Sequence, residues 1–218
     1  MNENFADTLG VLKLSKTTAF ITALFGTYIS DQPTEKSGEI VVDYSRPYKI
    51  RLWKDVAADL LFLAKQLDMP VENAIADPLS ASLKAIAQKY GCRDQKRLEA
   101  ILQSLYLQSY AELEVLFTIA TLIDDGHGLH CMKTETALTS SQRIPFLFGG
   151  YGEYLGSHYR KAFSSSCVHT VGEDINKLLK DGDVQKVSEI LVAEFQSAIN
   201  GIQCENQKKL VREIIFGN

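Results

Sequence analysis

The sequence has no apolar run of the roughly 20 residues that a bilayer crossing needs. Its two richest stretches, residues 17–30 and the segment LEVLFTIATLI, are both too short, and Glu114 interrupts the second. No membrane span is expected, and both stretches read as core helices. The amino terminus, MNENFADTLG, lacks the basic start and apolar core of a secretory leader, so the expected compartment is the cytoplasm. Positive charge is also scarce: 23 Lys and Arg stand against 27 Asp and Glu, a formal net charge of −4. Nothing in that balance attracts phosphate backbones or anionic lipid. The weak basic clusters Lys49/Arg51/Lys54, Lys96/Arg97 and Lys208/Lys209/Arg212 have acidic neighbours and no accompanying nucleic-acid signature. A nucleic-acid partner is therefore not expected. Only four cysteines occur, at positions 92, 131, 167 and 204, with no CxxC pair. Reduced thiols follow, in a chain that needs no disulfide framework.

What remains is ordinary globular composition, 45% apolar and 23% charged, enough for one good core. Helical periodicity dominates. Ser15 is placed to cap a helix running to about Ser30, with Phe20, Leu24 and Tyr28 on one stripe. ADPLSASLKAIAQKYG carries the strongest local signals: Asp77 as N-cap, Pro78 in the first turn and Gly91 past the end. From Asp94 to about Asp125 the pattern predicts one long helix, its second half apolar nearly all round and so buried at the centre. Helices are also predicted near YGEYLGSHYRKAF and over about 171–181, 184–200 and 204–216. EIVVDYSRPYKIRLW alternates with period two on both sides of SRP, which predicts a β-hairpin over about 39–53. The expected fold is all-α: a single domain over 1–218, a multi-helix bundle around the central buried helix at about 94–125, with the hairpin as an appendage. Any subdomain boundary is expected within 132–148.

The one chemically dense stretch is LIDDGHGLHCMK, residues 122–133. Gly126 and Gly128 end the helix and place His127 and His130 on a turn. Two imidazoles three positions apart can converge on one ion, and Cys167 with His169 would complete a tetrahedral N/S set for zinc. His127, His130, Cys167 and His169 are thus the candidate metal ligands, with Cys131 as an alternate. Against them, Asp and Gly after an apolar helix are ordinary stop signals that require no ion. Asp124 and Asp125 as a Mg²⁺ pair would need a second acidic cluster, and none of Glu112, Glu153 or Glu173/Asp174 forms one. No cofactor is expected, zinc being the exception that the His/Cys pattern raises.

FLFGGYGEYLGSHYRK is the second unusual stretch. Its glycines precede no predicted strand and match neither the P-loop nor the dinucleotide fingerprint. Close packing or a partner surface fits them better than a phosphate cradle. Phe146, Phe148, Tyr151, Tyr154 and Arg160 are the candidate partner-binding residues, because aromatic and Arg side chains dominate interface hot spots.

Two functions from different classes follow. The first is a cytoplasmic interaction or regulatory protein without chemistry of its own, bound to a protein partner or to its own copy. The second is a small-molecule or metal-dependent enzyme with a site between the 122–133 turn and the 144–169 segment. A zinc site of the stated ligands predicts that His127→Ala and Cys167→Ala each release metal and lower the melting temperature, since coordination then contributes to folding. Elemental analysis with thiol titration before and after chelator checks it; metal-free protein with unchanged stability in chelator refutes it.

Overall fold

Residues 7–14 alternate in burial, with Thr8, Gly10, Leu12 and Leu14 inside and Asp7, Leu9 and Lys13 outside. That period of two belongs to a strand with one covered face. In the computed structural model, which describes residues 4–30, 38–44, 50–140, 149–156 and 158–217, it forms β1 (Asn4–Lys13). Four further strands are β2 (Glu39–Asp43), β3 (Cys131–Ser140), β4 (Gly149–Gly156) and β5 (Arg160–Ser164). They make one five-stranded antiparallel sheet in the order β2-β1-β3-β4-β5. The all-α expectation is therefore wrong. Eight α-helices are present among the described residues, but the sheet is a second structural layer rather than an appendage.

The hairpin expected over 39–53 is replaced by a different pairing. β2 lies antiparallel on β1, with Leu9 opposite Asp43 and Lys13 opposite Glu39. The expected turn at 45–47 lies outside the described residues, as do positions 48 and 49 of the expected return strand. Leu52 instead bridges to Tyr110, and Trp53 opens a helix. The long helix expected over 94–125 is also broken, into α4 (Gln95–Ser104) and α5 (Leu113–Leu122). Between them the chain returns to residues 51–54: Trp53 N–H donates to the Ser109 carbonyl at 3.1 Å and Lys54 N–H to that of Leu107 at 2.9 Å. Those bonds satisfy amides at the open end of a helix, which have no partner within it.

Contacts divide the chain into two compact units, Asp7–Met132 and Met1–Ala6 with Lys133–Asn218. The first holds α1 (Ala19–Phe25), continued by a 3₁₀ turn (Gly26–Tyr28), then α2 (Trp53–Gln66), α3 (Pro78–Tyr90), α4 and α5. α3 takes its expected caps, with the Asp77 side chain accepting from Ser80 N–H at 3.1 Å. α2 packs on both α1 and α3, and α5 on α1 and α4. Phe20, Leu24, Trp53, Leu60, Leu83 and Phe117 are fully buried in this core.

Arg51 is the unexpected core residue, only 2% exposed. Its Nη2 donates to the Ala23 carbonyl at 2.6 Å and to Asp59 Oδ2 at 2.8 Å. Its backbone is held as well: Arg51 N–H donates to the Tyr28 hydroxyl at 3.1 Å, and that hydroxyl donates to the Arg51 carbonyl at 3.3 Å. The guanidinium fits only because residue 26 has no side chain. Gly26 has φ +49°, and a Cβ there would fall on Arg51 Nη1.

The second unit contains β4 and β5 as a hairpin, Tyr151 opposite Ser164 and Leu155 opposite Arg160. This corrects the helix expected around YGEYLGSHYRKAF. Three helices follow, α6 (Ser165–Lys180), α7 (Val184–Asn200) and α8 (Glu205–Phe216). α6 packs on the hairpin and on α7, and α7 on α8.

Gly26→Ala should lower unfolding stability by at least about 3 kcal/mol, combining a strained backbone with a displaced buried charge. Gly91→Ala isolates the strain, because at Gly91 (φ +87°) a Cβ would meet nothing within 4 Å. Urea denaturation of both variants checks the difference. Equal losses would mean that the guanidinium does not depend on the bare Cα.

Candidate functional site

α5 is apolar on nearly every side and ends at Leu122, leaving its last carbonyls without helical partners. The next residues supply them. Arg93 N–H donates to the Leu122 carbonyl at 2.9 Å. The His127 ring turns back beneath the helix end, with Nε2 at 3.1 Å from the Ala120 carbonyl. A cation at a helix carboxy terminus also complements the helix dipole.

The other ring nitrogen, Nδ1, lies 2.9 Å from Asp125 Oδ1. Both ring nitrogens thus face oxygen atoms of the protein. The ring is 1% exposed and its charge partner Asp125 is 7% exposed. Asp125 also accepts the Thr18 hydroxyl at 2.8 Å, and Thr18 caps α1 by accepting Ile21 N–H at 3.4 Å. One carboxylate therefore ties the end of α5 to the start of α1.

Asp124 lies beside the same ring nitrogen, its Oδ1 3.6 Å from His127 Nδ1. Its Oδ1 accepts from Gly126 N–H at 3.0 Å and Gly128 N–H at 3.2 Å, and its Oδ2 accepts from Arg93 Nη2 at 3.3 Å. The turn is stitched to the end of β1 through Ser15 N–H on the His127 carbonyl at 2.8 Å and His130 N–H on the Lys13 carbonyl at 2.9 Å. Gly128, at φ +57°, makes that approach feasible, since a Cβ would strike Ser15 Oγ.

Burial opposes ionisation of Asp125, but hydrogen bonds from His127 and Thr18 outweigh it and hold the carboxyl below its ordinary value. Burial likewise works against the Asp124 charge and is overcome by the Gly128 and Gly126 amides, with His127 and Arg93 adding to them. The two carboxylates thus share the His127 ring and the Arg93 guanidinium as partners.

Among the sequence candidates, the structure brings His127 together with Asp124 and Asp125, whose ligand-type atoms all lie within 4.8 Å of one another. An ion in this cluster would take Nδ1 of His127 and displace its proton, with Nε2 kept on the Ala120 carbonyl. His130 is exposed and lies elsewhere, its Nε2 3.5 Å from Ser15 Oγ. Cys131 is buried at the start of β3. Cys167 and His169 fall in α6, and their side chains lie outside the described residues, as do Phe146 and Phe148 altogether. Tyr151 and Tyr154 are exposed on β4, and the Tyr154 ring lies 6.2 Å from that of Tyr159. Arg160 is half-buried at the start of β5, its N–H donating to the Gly201 carbonyl at 2.8 Å. Sequence reasoning missed Thr18 and Arg93. Thr18 was the detectable one, a cap-type residue directly before an apolar helical run.

The chain matches no family model, no curated protein and no solved structure. Its chemistry must therefore be read from its own residues.

Because both Asp carboxyls are depressed in the folded state, their contribution is complete above the ordinary Asp range, about pH 4. It is lost as pH falls through their lower folded values. Asp125→Asn should cost about 2 kcal/mol at neutral pH, because the buried His127 ring and the Thr18 hydroxyl lose a charged acceptor. It should also flatten the loss of stability below about pH 4. Urea unfolding across a pH series checks both, and an unchanged acid limb in the variant would remove Asp125 from the account.

Proposed function

We propose that this chain acts through protein–protein contacts and performs no chemistry of its own. The observation that carries the reading is the state of the carboxy-terminal helices. α8 is amphipathic, with Leu210 and Ile214 one turn apart and Ile215 beside them, yet none of its residues is buried. Ile214 is 74% exposed. α7 buries only Val187 and Ile199 among its described residues, while Leu191 and Phe195 on successive turns stay exposed. An apolar stripe of this kind is what normally stabilises a surface helix by burial. Here it faces water over two neighbouring helices, an arrangement associated with partner surfaces.

The exposed aromatics Tyr151 and Tyr154 on β4 and Phe163 on β5 belong to the same unit and add contact area of the type found at hot spots. The favoured partner presents an apolar helical face, as another copy of the chain would. Phe195→Glu combined with Ile214→Glu should abolish self-association seen by sedimentation over a concentration series, at little cost to stability because neither side chain is buried. Association that persists in this variant, or wild-type protein that stays monomeric throughout, would argue against these helix faces.

A further inference from the structure

A cavity of about 690 Å³ opens between α1 and α2. The α1 wall is cut low by Ala19, Thr22, Ala23 and Gly26, and Phe62 of α2, 62% exposed, stands along its lip. That volume is of the size that takes a small organic molecule. Small residues and an exposed ring would be unremarkable alone. Arg51 changes the reading, because this almost wholly buried side chain lines the cavity and is not fully used.

Both hydrogen bonds of its guanidinium leave from Nη2, to Ala23 and Asp59. Nε is buried with no partner. Nη1, resting on the bare Cα of Gly26, donates to nothing among the described residues. A guanidinium has five N–H donors; of the unmade ones here Nε is sealed in the protein, whereas Nη1 is left for water or a ligand to satisfy. The cavity thus contains a fixed donor awaiting an acceptor.

The acceptor's charge is set by Asp59. Its carboxylate already sits 2.8 Å from Nη2, so the Arg51 charge is matched. A second carboxylate would gain the same donor but meet Asp59 as a like charge. A neutral carbonyl oxygen gains the hydrogen bond without that repulsion. We propose that the α1–α2 cavity is a binding site for an uncharged, carbonyl-bearing small molecule with an apolar tail. An amide is the best fit: its oxygen accepts from Arg51 Nη1, its N–H₂ is suited to the exposed Asp59 carboxylate, and the tail runs along Phe62.

Octanamide and octanoate share a tail and differ in the charge at the head. Titrated separately into the full chain and followed by calorimetry and by the Arg51 side-chain resonances, octanamide should bind saturably and shift those resonances. Octanoate should bind at least about tenfold more weakly, a modest free-energy difference for one like-charge contact. Ala19→Phe, at an exposed position on the wall, fills the cavity without touching the core. It should abolish octanamide binding while leaving the unfolding midpoint unchanged. Octanoate binding as tightly as octanamide would overturn the neutral-acceptor assignment. Octanamide binding that survives Ala19→Phe, or saturable binding of neither probe, would overturn the site.

Discussion

A buried histidine ring held against a buried carboxylate is the constraint on which the Asp7–Met132 unit depends. Removing two charges from water costs several kcal/mol per ion, and mutual attraction alone seldom compensates. The His127–Asp125 pair is sustained by further partners: Nε2 lies at the Ala120 carbonyl, and Asp125 Oδ1 accepts the Thr18 hydroxyl while also facing Nδ1. The compensation comes from two pieces of chain, the end of α5 and the start of α1. Loss of one partner would leave a charge in the core without its counterpart. The same saturation bears on chemistry. Only Nδ1 of His127 can turn toward an ion, and it does so by surrendering the proton that holds Asp125.

Arg51 follows a different logic on the other side of α1. Its backbone and Nη2 are engaged, while the rest of the guanidinium is not. The two buried side chains therefore differ in what they leave available. His127 has nothing left to offer a ligand without breaking the fold, whereas Arg51 retains donors that the fold does not consume.

How much of this could be read in the sequence depended on how local the deciding interaction was. α3 was legible because Asp77, Pro78 and Gly91 are cap chemistry, complete within one stretch of chain. The expected bounds of α7, 184–200, were likewise met, with Gly201 past its end. β1 and β3 were not, because beside Leu12 and Met132 their covered positions include Thr8, Gly10, Thr134 and Thr136. Alternation was present, but in polarity too weak to register. The break between α4 and α5 was invisible since the competing partners of residues 107–111 lie at 51–54. At the turn, the Asp and Gly residues announced a helix stop, but the groups that complete it come from 107 residues away at Thr18 and 31 at Arg93. The glycines at 149–156 read as close packing or a partner surface in a helical segment, yet they sit in a strand whose side chains alternate poorly in size.

The strand order has a consequence for how the chain reaches this state. β1 has one neighbour close at hand in β2 and its other in β3, which begins only at Cys131. During synthesis the β1–β2 pair is complete long before β3 emerges, so one side of β1 presents open amide and carbonyl groups for the whole interval. Such an edge is a template for pairing with another chain, and distant strand pairing is slow to close. Charged Asp7 within β1 and Lys13 at its end are the kind of residue that discourages the wrong pairing while the right one is awaited.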